Sequence, residues 1–171
     1  SLYKPTKEKF KIVAAADDFP TDIYAVKSQI KLKGLEPEEA LVLVESGEDE
    51  LVSEDEIISQ MKRDICLVML PSVFYRTGQL LDMERLTQEA RDRGILLVFD
   101  CSHSAGAVPH ELDKWGVDFA LWCSYKYLNS GPGSPAFIYL NKKHFGVMPS
   151  LAGWFGYDKA KQFDLLPDFE P

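Results

Sequence analysis

Positive charge is scarce in this chain. Its 171 residues carry 19 Lys and Arg against 27 Asp and Glu, a formal net charge of −8. That balance opposes broad contact with nucleic acid or with an anionic membrane surface. No apolar run is long enough to cross a bilayer. The opening SLYKPTKEKF lacks the apolar core of a secretory signal, so a cytoplasmic location is the expectation. Cysteine is sparse and odd in number (Cys66, Cys101, Cys123), each in or beside a strand-like stretch. These read as reduced, small core residues rather than a disulfide framework. Cys101 and His103 lack the two further ligands a metal site needs. A glycine-rich nucleotide fingerprint is also missing, because Gly131 and Gly133 follow a lysine and open no helix.

What is present is an alternation of buried strands and amphipathic helices. KIVAAA (11–16), ALVLVES (40–46), ICLVMLP (65–71), ILLVFD (95–100), DFALWCS (118–124) and AFIYL (136–140) read as strands. Helices are expected over 22–33 behind a Thr21 cap, over 54–62 behind a Ser53/Glu56 capping box, and over 82–93 before Gly94. A short helix or turn is expected around Pro109, and the acidic connector 47–56 reads as a solvated loop. This pattern predicts an α/β fold, a mostly parallel sheet with helices on both faces. The short 129–135 connection predicts an antiparallel last strand.

The chemistry concentrates at strand ends. Asp100 closes one apolar run and Lys126 follows another. An acid and a lysine placed so suit pyridoxal phosphate (PLP). The amine forms a Schiff base with the aldehyde, and the carboxylate pairs with the protonated pyridine nitrogen. Trp122, Tyr125 and Tyr127 are expected to bury Lys126 in part, which would lower its pKa. His103, three residues after Asp100, can face the same ligand, and Phe19 can stack on a flat ring. His110 and His144 lack such context and read as surface residues. Phe19–Asp22, Ser72–Gly78, Asp100–His103 and Tyr125–Lys126 all follow strand ends, where ligands of open α/β sheets bind.

The segments FPTDIYAVKSQI (19–30), Tyr75–Gln79, FDCSHSAG (99–106), WGVDFALWCSYKYLN (115–129) and GWFG (153–156) together resemble the kynureninases, PLP enzymes of the aspartate-aminotransferase fold type. The resemblance implies that residues 1–171 form part of a PLP-binding large domain. The family's upstream phosphate-binding segment and C-terminal small domain lie outside it. It implies that Lys126 holds PLP and that Asp100 binds the ring nitrogen with His103 beside it. Phe19 would stack on the ring, with Pro20, Thr21 and Asp22 completing that wall. Tyr125 would contact the phosphate and assist proton transfer, and Trp154 would reach the cofactor across a homodimer interface. Ser72 is not assigned a role, because Pro71 stands at the family's hydroxyl position. The implied activity is hydrolysis of L-kynurenine or 3-hydroxy-L-kynurenine to an anthranilate and L-alanine, in tryptophan catabolism and NAD biosynthesis. Two alternatives remain at this stage. One is another PLP enzyme of the fold, such as a cysteine desulfurase or an aminotransferase. The other is a non-catalytic fragment.

Overall fold

The structure, a computed structural model, describes residues 1–170. Six strands build one sheet: β1 (Lys11–Ala15), β2 (Leu41–Val44), β3 (Ile65–Pro71), β4 (Leu96–Asp100), β5 (Phe119–Cys123) and β6 (Ala136–Leu140). Their spatial order is β2-β1-β3-β4-β5-β6. The first five run parallel, and β6 returns antiparallel to β5 with Leu121 opposite Ile138. The expected sheet is therefore present, including its reversed last strand.

Side chains alternate across the sheet with period two. Val13, Val68, Leu97 and Phe99 face one layer, where they meet Ile57 of α3 (Glu54–Gln60) and Leu86 and Ala90 of α4 (Met83–Asp92). Ile12, Leu67 and Val98 face the other, against Val26 and Ile30 of α1 (Pro20–Leu32) and Ala40 of α2 (Pro37–Ala40). Helices thus cover both faces. A further turn of helix, α5 (Leu112–Trp115), leads into β5. Beyond α1 the second face is open, and Ile138 on β6 is 71% exposed.

Local signals set most boundaries. The Ser53 hydroxyl accepts the Glu56 N–H at the start of α3, as the capping box predicts. The Asp82 carboxylate accepts the Arg85 N–H at the start of α4. Helix α1 departs from expectation. It opens at Pro20, with Phe19 as the capping position and no side-chain cap, so Thr21 lies inside the first turn. Proline wins here because its fixed φ suits the first helical position and it has no N–H to satisfy.

His144 is not a free surface residue. Its Nε2 lies 2.7 Å from Oδ1 of the buried Asp118, which Lys143 Nζ also approaches to 2.7 Å. The other carboxylate oxygen accepts the Leu97 N–H at 2.8 Å. Asp118 therefore ties the segment after β6 to the start of β4. Asp118→Ala leaves the buried Leu97 N–H unpaired, and should lower stability by about 2–3 kcal/mol in urea titration with an unchanged m-value.

Candidate functional site

The strand order reverses direction at β1, since β2 lies on one side of it and β3 on the other. In open α/β sheets the crevice at such a switch point, outside the carboxyl ends of the strands, is the ligand site. Here β1 delivers Asp18, Phe19 and Asp22, β3 delivers Ser72 and Tyr75, and β4 delivers Asp100 and His103. Lys126 arrives from the loop after β5.

Four rings line this edge. Phe19 meets Tyr75 edge-on at 5.5 Å between centroids. Tyr75 lies 6.2 Å from the His103 ring, and His103 lies 6.3 Å from Tyr127. Phe19 is 45% exposed, a large apolar face open to a ligand. Lys126 Nζ stands 5.9 Å from the centroids of both Phe19 and Tyr125. Lys126 is half-buried, as expected. Tyr125 and Tyr127 are 54% and 51% exposed, because both project outward from a loop rather than from the sheet.

The carboxyl groups are less comfortable. Asp100 Oδ1 accepts the Ser102 N–H at 2.8 Å, which anchors the turn after β4. Asp22 has a buried oxygen, Oδ2, without a hydrogen-bond partner. Burial, the charge of Asp100 and proton sharing with that carboxyl push the Asp22 pKa up to about 7, against the pull of Lys126. Asp18 is buried too. Its Oδ1 accepts the Phe19 N–H at 2.7 Å while Oδ2 has no partner, and burial above all pushes its pKa up to about 7. Burial and the Lys126 charge lower the His103 pKa, favouring the neutral ring. At Tyr125 the adjacent Cys123, and more weakly Asp100, raise the phenol pKa and keep its proton on.

Phe19, Asp22, Asp100, His103, Tyr125 and Lys126 therefore share one edge, with Pro20 and Thr21 exposed at the mouth of α1. Trp154 does not join them within the chain. Its indole donates to the Gln162 carbonyl at 3.0 Å and packs on Phe155 and Phe163, all in its own segment. Ser72 is fully buried, its hydroxyl 3.0 Å from the Asp100 carbonyl and 2.5 Å from Ser104 Oγ. Sequence reasoning overlooked Asp18. The paired acids of AAADDFP, directly after a buried strand, were the available signal.

This set fits PLP. A flat heterocycle with a basic nitrogen and an aldehyde needs an apolar wall, an unpaired carboxylate and an amine. Phe19 supplies the wall, the Asp22 and Asp100 pair the negative charge, and Lys126 the amine. A cation placed by Asp22 and Asp18 would also relieve two buried oxygens that now lack partners.

The Asp100 turn and the Lys126 loop touch at one glycine. Gly106 has φ +89°, and a Cβ there would lie 2.8 Å from the Tyr127 carbonyl oxygen. Gly106→Ala should lower stability by about 1–3 kcal/mol from the φ strain alone, with the overlap adding to it. A fall in melting temperature measured beside Gly34→Ala, where the φ is similar but the space is open, isolates the overlap. The buried acids predict a pH effect. Asp18 and Asp22 bind protons more tightly folded than unfolded, so their contribution to stability declines as pH rises from about 4 to about 7. Asp18→Asn should raise the melting temperature of the cofactor-free chain clearly at pH 8 and little at pH 4. An equal gain at both values would contradict this.

The model of the family described as aminotransferase class-V, a family of PLP enzymes, matches residues 1–157. Among curated proteins, the chain is 56% identical over 171 residues to a kynureninase of Shouchella clausii, covering 100% of this chain and 40% of that protein. It is 50% identical over 171 residues to a kynureninase of Geobacillus thermodenitrificans, with the same shares. The chain thus spans about two-fifths of the length of the curated relatives it matches. Among solved structures, a cysteine desulfurase of Escherichia coli superposes with a TM-score of 0.70 at 16% identity, over 84% of this chain and 34% of that one. An alanine–glyoxylate aminotransferase of Nostoc sp. gives 0.62 at 23%, over 80% and 35%. These two share the fold. With its sheet order, its strand-end lysine and the family match along nearly its whole length, the chain belongs to the aminotransferase class-V family.

Proposed function

We propose that this chain is the cofactor-holding part of a kynureninase, which cleaves the Cβ–Cγ bond of L-kynurenine or 3-hydroxy-L-kynurenine by hydrolysis to give an anthranilate and L-alanine. One observation carries the reading. A lysine, a pair of carboxyls and an aromatic wall meet at the switch point of a chain that is 50–56% identical to kynureninases over its full length.

PLP, when bound, supplies an electron sink for the carbanion left by bond cleavage. The chain's own residues have simpler tasks. Phe19 presents a ring face and orients a flat ligand. Asp100, fixed by the Ser102 N–H, holds negative charge where a ring nitrogen would keep its proton, and Asp22 shares that charge. Lys126 Nζ would hold the aldehyde and, when free, would move a proton as a base. Tyr125, with its proton held on, is the acid that returns one to the product side. The neutral ring of His103 adds no charge against Lys126.

The whole enzyme is a cytoplasmic homodimer in this reading. Trp154, 46% exposed, is free to meet the site of a partner subunit. No helix among the described residues is long and apolar enough to cross a membrane.

The chain loaded with PLP and reduced with borohydride should carry the cofactor on the peptide containing Lys126. Lys126→Ala should remove that adduct and, in the full-length protein, lower kynurenine turnover by at least about 10²-fold. An adduct on another lysine, or one that persists in the variant, refutes the assignment.

A further inference from the structure

His110 stands outside every role described so far, yet it is not the surface residue its sequence context suggested. It is half-buried in the loop before α5, with Nε2 2.8 Å from the hydroxyl of Ser104. Ser104 is fully buried and lies 2.5 Å from the hydroxyl of Ser72, itself fully buried. The Ser72 hydroxyl lies 3.0 Å from the Asp100 carbonyl, and the Ser72 N–H donates to the same carbonyl at 2.8 Å. An unbroken polar chain thus runs from an imidazole to the peptide of the residue expected to face the cofactor nitrogen.

The Asp100 carbonyl can only accept, so the single hydroxyl proton of Ser72 goes to it and that of Ser104 goes to Ser72. Nε2 therefore carries the ring proton and donates to the Ser104 hydroxyl. Burial lowers the His110 pKa and favours this neutral form. Nearby Cys101 stays a thiol, its pKa pushed up to about 11 by burial, so it brings no competing charge. On its other side the ring borders an open apolar pocket lined by Leu112, Trp122 and Leu128. Packing there is incomplete, and the hydrogen bond to Ser104 supplies the direction.

We propose that His110 is a positioning residue of the cofactor site: through Ser104 and Ser72 it holds the Asp100–Ser104 turn, and with it the Asp100 carboxylate and the His103 ring, in the orientation that PLP requires. The inference rests on the reading of this site as a PLP site. Removal of the imidazole leaves the Ser104 hydroxyl with the Cys101 carbonyl at 3.2 Å and Ser72, so the turn can still fold. It loses its tie to the α5 loop.

The test is titration of the full chain with PLP, followed by visible absorbance and by quenching of tryptophan fluorescence, with melting temperatures recorded in parallel. His110→Ala should weaken PLP binding about tenfold and shift the pH midpoint of the visible band. His110→Gln, whose amide nitrogen can donate to Ser104, should restore both to within about threefold. Ser104→Ala should match His110→Ala, and the double variant should be no weaker than either alone, because both act through one chain. In an Asp100→Asn background His110→Ala should cost less than about twofold. A merely structural role would lower the melting temperature while leaving the band midpoint unmoved, and its effect would add fully to Asp100→Asn. That pattern, or unchanged affinity in His110→Ala, overturns the inference alone. Failure of the unsubstituted chain to develop the band overturns the PLP reading itself, and this inference with it.

Discussion

The final rung between β3 and β4, where the Ser72 N–H meets the Asp100 carbonyl at 2.8 Å, is the contact on which the site depends. The parallel register below it sets Pro71 beside Asp100, so both strands end at one level. The same edge receives the end of β1 and the loop after β5. Were that rung displaced by one residue, the side chain of residue 100 would exchange faces. Its carboxyl would then enter the layer of Leu97 and Phe99. The chemistry is therefore an outcome of strand register before it is an outcome of side-chain choice.

Electrostatics sharpen this frame. Asp18, Asp22 and Asp100 lie close enough to resist simultaneous ionisation, and one lysine does not balance them. Such strain at a strand-to-helix junction is poor design for stability. Buried acids strained in this way are a mark of ligand sites more than of scaffold. Asp118 offers the contrast within the same molecule. It is as buried as Asp18, but Leu97, His144 and Lys143 satisfy it, and it serves to fasten segments together.

Much of the fold was legible because the strands are uninterrupted apolar runs bounded by glycine or acid. ICLVMLP and AFIYL match their strands residue for residue. That Lys126 and Asp100 both border Asp22 and His103 was legible because both follow such runs. The start of α1 was misread, since a threonine after proline resembles a cap unless the proline is given the first helical position. The two histidines escaped for a different reason. His110 earns its role from Ser104 and Ser72, the latter 38 residues away in sequence, and His144 from an aspartate 26 residues back. Their partners come from tertiary approach, which periodicity does not encode. Trp154 shows the reverse case, a residue whose motif is conspicuous in sequence but whose indole here meets Gln162, Phe155 and Phe163 of its own segment.

Gly106 joins two stretches that the chain keeps far apart. Because the turn bearing the acid rests against the backbone of the loop bearing the amine, without a side chain between them, neither can drift alone. The spacing between the stretches that bear Asp100 and Lys126 is thus set by backbone contact, and any side chain at position 106 would have to widen it.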